Sequence, residues 1–100
     1  MIIITVKYSV QPGQRDKAME LAREYMAYTW TEKGCIFYEH LPSTVNDQDV
    51  YVLEKWETKE DFHAHISTPK YAAFKESRAA LLIKDAFSLQ VYEAKEVPVW

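Results

Sequence analysis

Cysteine occurs once in this chain of 100 residues, at Cys35, and glycine only twice, at Gly13 and Gly34. A lone thiol excludes an intrachain disulfide and the cysteine pair of a small metal chaperone, and it fits a reducing cytoplasm. Two isolated glycines cannot form the loops that cradle phosphates or dinucleotides. They also leave Val50–Trp56 without the glycine and aromatic platform of an RNA-recognition strand. Runs of Lys or Arg are missing, and 12 basic against 15 acidic side chains give a net charge of −3, so nucleic acid is disfavoured as a partner. No window approaches the ~20 apolar residues of a membrane-spanning helix, and none is expected to enter a membrane. The opening MIIITVKYSV has no basic stretch before an apolar one, so no secretory leader is expected and a cytoplasmic location is. No serine sits in a glycine-flanked nucleophile elbow.

What is present is a 48% hydrophobic composition with 14% aromatics, enough to bury a core. One domain over residues 1–100 is expected, and a chain this short leaves apolar surface for a partner or a second copy. Ile2–Ser9 is a β-branched run closed by the turn signal Gln11-Pro12-Gly13. From Gln14 to Lys33, the residues Ala18, Leu21, Ala22, Tyr25 and Thr29 recur at helical steps, and Gly34 suits the position just past a helix end. Cys35–Leu41 and Val50–Trp56 read as strands joined by the polar turn Pro42–Asp49. Thr58 with Asp61 marks a helix start. Pro69 breaks or restarts that helix, which then runs to about Lys84 with Tyr71, Phe74, Arg78, Leu81 and Leu82 on one face. Phe87–Tyr92 is a fourth strand, and residues 94–100 form a tail. The order βαββαβ predicts the ferredoxin-like α+β plan, a four-stranded antiparallel sheet with the helices on one face.

That plan serves many functions, so the residues must decide. Glu54 and Trp56 leave the third strand on the same face. On the following helix, Phe62 and Ile66 mark the inward stripe; His65 borders it on one side and His63 on the other, and periodicity alone does not choose between them. Each candidate also has a packing reading. His65 could be a hydrogen-bonded core histidine, Trp56 core, and Glu54 an ion-paired carboxylate. Arg78 lies inside an apolar stripe, either snorkelling past the core or meeting an anionic substrate. Tyr38 and Tyr71 could pack or orient a phenolic ligand. Cys35, with only Lys33 as a basic neighbour, reads as inert.

Four stretches together resemble the antibiotic-biosynthesis-monooxygenase (ABM) family, in its short quinol-monooxygenase-like branch. They are the first strand with Gln11-Pro12-Gly13, then Gly34-Cys35-Ile36-Phe37-Tyr38-Glu39, then Tyr51–Glu57, then His65-Ile-Ser-Thr-Pro69-Lys-Tyr71-Ala-Ala-Phe74. The resemblance implies a dimeric α+β barrel and oxidation of a phenol or quinol by dioxygen without flavin, haem or metal. On that model His65 is the base, Glu54 orients or tunes it, and Trp56, Tyr38, Tyr71 and Phe74 wall the ring. Two departures stand out. Lys70 occupies a position where many relatives carry a second histidine. The single asparagine, Asn46, lies in a loop, so the first-strand asparagine of the haem-degrading branch is missing. An isomerase branch that processes phosphorylated autoinducer-2 shares the Glu and His pattern, with Arg78 or Lys70 as a phosphate contact. A non-catalytic dimeric barrel that binds small aromatic molecules is the remaining alternative.

Two further expectations follow from the residues. Both alternating sets of the first strand, Ile2, Ile4, Val6, Tyr8 and Ile3, Thr5, Lys7, Ser9, carry apolar groups, as do both sets of the third. Two helices cover only one sheet face, so a homodimer across the other is expected, with residues 94–100 free to cross to the partner. No three-histidine or two-histidine-one-carboxylate set occurs at ligand spacing, so no tightly held cofactor or metal is expected.

Overall fold

The computed structural model describes residues 1–100. Its elements are β1 (Ile2–Ser9), α1 (Arg15–Thr29), β2 (Cys35–Pro42), β3 (Asp49–Trp56), α2 (Lys59–Ile66), α3 (Pro69–Arg78), a 3₁₀ turn (Ala79–Leu81) and β4 (Ser88–Glu93). The strands form one antiparallel sheet in the order β2-β3-β1-β4, which is the ferredoxin-like arrangement. In β1 the set Ile2, Ile4, Val6, Tyr8 is buried beneath the helices, joined by Val50, Val52, Glu54 and Trp56 of β3. The opposite face carries Ile3, Tyr51, Leu53 and Tyr92, and no helix covers it.

Two helix ends differ from the sequence expectation. The first helix ends at Thr29, not Lys33. There Thr29 turns its hydroxyl back onto the Tyr25 carbonyl at 2.9 Å, and the Trp30 indole donates to the Tyr38 carbonyl at 2.9 Å. The chain then tightens into bonds from Thr31 to Tyr28 and from Glu32 to Thr29, each 3.0 Å. Gly34 does take the left-handed conformation, φ +80°, but in the turn beyond the helix, where a Cβ would overlap the Asp61 carboxylate.

The second helical stretch is two helices. Thr58 caps α2 by accepting the Asp61 amide at 3.1 Å, and Thr68 caps α3 by accepting the Tyr71 amide at 3.0 Å, with Pro69 at the first turn. α3 stops at Arg78 and not near Lys84. Leu82 and Ile83 are drawn off to the end of β1, where Leu82 bridges Val10 and the Ile83 amide donates to Ser9 at 2.8 Å. The fourth strand sits one residue later than expected, at Ser88–Glu93. Residues beyond it have no regular structure, and Trp100 is fully exposed.

Candidate active site

Antiparallel pairing sets Tyr38 of β2 opposite Glu54 of β3, and Glu54 opposite Ile4 of β1, all on the helix side of the sheet. A carboxylate is thereby delivered into an apolar layer. Burial pushes Glu54 up to about 7, against a smaller lowering from the Trp56 indole, which donates to Oε1 at 3.0 Å. His65 of α2 is 1% exposed and lies directly over this pair, its ring 4.7 Å from that of Trp56. Tyr38 and Tyr71 meet it edge-on at 5.6 and 5.5 Å. His63 is exposed, so of the two flanking histidines it is His65 that α2 turns inward.

His65 stands between two carboxylates. Its Nδ1 meets Glu32 Oε1 at 2.6 Å, and its Nε2 lies 3.9 Å from Glu54 Oε1. An ionised carboxylate only accepts, so the short contact puts the ring proton on Nδ1 and leaves the Nε2 lone pair facing the Glu54 side. Burial lowers the His65 pKa, and Glu32 counters it in part. The net lowering favours the neutral imidazole, whose Nε2 can accept a proton. Glu32 was not legible in the sequence. It falls within the Gln14–Lys33 stretch, three residues after Thr29, but its partner His65 lies 33 residues away on α2, a contact that helical spacing does not reveal.

A second polar cluster adjoins the first. His40, 5% exposed, bonds Tyr8 through Nδ1 at 2.8 Å and Tyr38 through Nε2 at 2.9 Å. Neutral imidazole has one donor and one acceptor, so one phenol accepts from it and the other donates to it. Burial, helped by the Arg78 charge, holds His40 down to about 3. Phe74 and Arg78 belong with this second cluster. Phe74 stacks on Tyr25 at 4.2 Å, and the Arg78 guanidinium lies 4.6 Å from the Phe74 ring and 4.8 Å from that of Tyr8. Tyr38 joins the two clusters.

The Tyr25 hydroxyl is buried beside His65, whose ring is 5.8 Å away, and makes no hydrogen bond of good geometry. Burial raises its pKa and the Glu32 charge raises it further, against a smaller lowering from the Thr29 hydroxyl. A cleft of about 520 Å³ opens between α3 and the 82–89 segment, and Tyr71 and Arg78 line it together with Leu82, Ile83 and Phe87. Tyr71 thus touches His65 on one side and the cleft on the other. A slightly larger hollow of about 590 Å³ at the start of α1 holds none of these residues and is lined mainly by polar groups. Lys70 lies over the Tyr28 ring at 5.3 Å, away from His65. Cys35 is raised to about 11 by burial, a poor thiolate. No three His, Cys, Asp or Glu side chains converge at metal-binding geometry.

A ferredoxin-like sheet with an inward Glu, Trp and His beneath its helices defines a small α+β pocket protein. The family model for antibiotic biosynthesis monooxygenases matches residues 1–77, and the chain belongs to that family. An uncharacterised protein of Synechocystis is 24% identical over 95 residues, covering 95% of this chain and 64% of that relative. The chain thus spans just under two thirds of the length of the curated relative it matches. Among solved structures, a conserved protein of unknown function from Bacteroides thetaiotaomicron superposes with a TM-score of 0.83 at 28% identity, covering 93% of this chain and 96% of that one. SnoaB of Streptomyces nogalater, a cofactor-independent oxygenase, gives a TM-score of 0.84 at 12% identity, covering 99% and 97%. At that identity the likeness is one of fold.

Proposed function

We propose that the chain is a cofactor-independent monooxygenase of a small phenol or quinol, with His65 as general base. The observation that carries this reading is the His65 geometry: Nδ1 tied to Glu32 at 2.6 Å, and Nε2 directed into an aromatic cage beside a carboxyl group with a raised pKa. The fold neighbour that is itself a cofactor-independent oxygenase supports it. Nε2 takes the substrate hydroxyl proton, and the resulting phenolate is electron-rich enough to reduce dioxygen itself. A hydroquinone plus dioxygen then yields a hydroxyquinone plus water. The substrate supplies all four electrons, so the balance requires no external reductant.

Each neighbour has a task in this scheme. Glu32 fixes the tautomer and shares the positive charge of the protonated ring. Glu54, neutral below about pH 7, keeps a second negative charge away from the phenolate. Trp56, Tyr38 and Tyr71 hold the ring and exclude water, while Phe74 and Arg78 support the wall from the His40 side. The Tyr25 hydroxyl is available to a substrate oxygen. Substrate enters from the cleft by displacing Tyr71.

The same proposal includes a homodimer across the open sheet face. Its half-buried Ile3 and Leu53 and exposed Tyr51 and Tyr92 each contribute ~25 cal/mol per Å² when covered. Oxygen consumption with a panel of hydroquinones tests the activity. Stoichiometric uptake with a hydroxyquinone product is the expected outcome; binding of the same compounds without uptake would contradict it.

A further inference from the structure

The cleft beside Tyr71 has a composition that the proposed chemistry does not require. It is walled by Leu82, Ile83 and Phe87, yet three cations, Lys75, Arg78 and Lys84, open onto it against one acid, Asp85. None of the three has a carboxylate within ion-pairing distance, although the chain as a whole carries a net charge of −3. Arg78 is the deepest of them. Its guanidinium is held against Tyr8 and Phe74 by stacking, which fixes its position without neutralising it. Lys75 lies over the Tyr71 ring at 5.3 Å, at the cleft side of the same tyrosine that meets His65.

Stacking engages the face of a guanidinium, whereas a carboxylate grips its N–H edge, so the two uses are compatible. An apolar wall with an unpaired, pre-positioned arginine and two lysines favours a flat hydrophobic body carrying a negative group. A volume of about 520 Å³ accommodates a two- or three-ring molecule.

We infer that the substrate is a phenolic aromatic carboxylate, its acid group bound by Arg78 with Lys75 and Lys84 at the mouth, and its hydroxylated ring passing Tyr71 toward His65. This inference rests on the proposed function for the orientation of the ring but not for the anion contact. The arginine of the second cluster thereby becomes the specificity residue of the first.

The test is calorimetric titration of the full chain under nitrogen, where binding proceeds without turnover. The probes are 6-hydroxy-2-naphthoate and its methyl ester, which differ by the negative charge and one methyl group. The acid is expected to bind about tenfold tighter or better at low ionic strength, with the gap narrowing in roughly 0.5 M salt, where exposed charges are screened. Arg78→Gln should abolish most of the preference, read as the ratio of acid to ester affinity within the same variant. Lys75→Gln and Lys84→Gln, both at exposed positions that tolerate change, should each reduce it about twofold to threefold. Lys17→Gln, on the exposed side of α1, should leave it unchanged.

Equal binding of acid and ester would overturn the inference, as would a preference that survives Arg78→Gln combined with both lysine changes. A pentose 5-phosphate binding as tightly as the naphthoate would overturn the aromatic class and favour a sugar-phosphate ligand. The oxygenase reading fails separately: a charge preference lost in Arg78→Gln, with no oxygen uptake once air is admitted, leaves the anion subsite standing and removes the chemistry.

Discussion

Replacing His40 with glutamine is expected to weaken the fold at neutral pH and yet make it more resistant to acid. In the folded chain His40 binds a proton only near pH 3, because it is buried between Tyr8 and Tyr38 with the Arg78 charge nearby. In the unfolded chain it binds one near 6.5. Between those values the unfolded state holds the extra proton, so stability falls as pH falls, by ~1.4 kcal/mol per unit and ~5 kcal/mol in all. That is a large share of the roughly 5–15 kcal/mol that holds a domain together.

Glutamine has one acceptor and one donor for the two tyrosines but cannot titrate. It loses ring contact with Phe74, 5.7 Å away between centroids, so a cost of about 1–3 kcal/mol at pH 7 is expected. Glu54 works in the opposite sense. Its folded pKa is raised to about 7 from 4.5, so its contribution is present below 4.5 and is lost as pH rises through 7. Wild type and variant share Glu54 and His65, so the difference between them isolates His40. Urea unfolding at half-unit steps from pH 7 to pH 4 measures it. The two stability curves should converge and then cross on acidification. Curves that remain parallel would show that His40 is protonated in the folded chain or not buried, and would refute the reasoning.

The other expectations concern the His65 site and the open sheet face. Activity should follow a bell-shaped pH profile, with an acid limb below 6.5 from His65 and an alkaline limb near 7 from Glu54 ionising beside Nε2. Glu54→Gln retains an acceptor for the Trp56 indole and should remove the alkaline limb; a kcat/KM profile unchanged by that substitution would count against the role given to Glu54. Glu32→Gln should lower kcat about tenfold or more with little change in KM, read from steady-state oxygen uptake. Leu53→Glu, on the uncovered face, should convert a dimer into an 11.7 kDa monomer in sedimentation, whereas a wild-type monomer at micromolar concentration would sink the dimer itself.

The strands were legible because the β-branched run Ile2–Ser9, the run Val50–Trp56 and turn chemistry at Pro12-Gly13 are local signals, and the element order βαββαβ then implied the ferredoxin-like plan. Thr58, Thr68 and Pro69 act within one turn of their own helices, so the positions of α2 and α3 were open to the same kind of reasoning. Helix ends were less so. The end of α1 depends on Trp30 reaching the Tyr38 carbonyl, and the end of α3 on Leu82 and Ile83 pairing with β1; both are contacts between segments distant in sequence.

The same distinction holds in the site. Glu54 and Trp56 share a strand face by simple alternation. Glu32 and His65, 33 residues apart, meet only after a turn and two helices have been placed. His40 lies two residues from Tyr38, yet its pairing with Tyr8 across the sheet gave no pattern in the sequence. Periodicity likewise did not separate His65 from His63, because both flank the apolar stripe at comparable angles.

The central claim is that His65, and not another buried or exposed histidine, moves the substrate proton. The most direct measurement compares His65→Ala with His63→Ala in oxygen uptake on one hydroquinone substrate, with the fold of each verified by circular dichroism. Loss of a general base predicts a fall of ~10² to 10⁴ in turnover for His65→Ala, and near wild-type turnover for the solvent-facing His63→Ala. Equal turnover by the two folded variants would contradict the account.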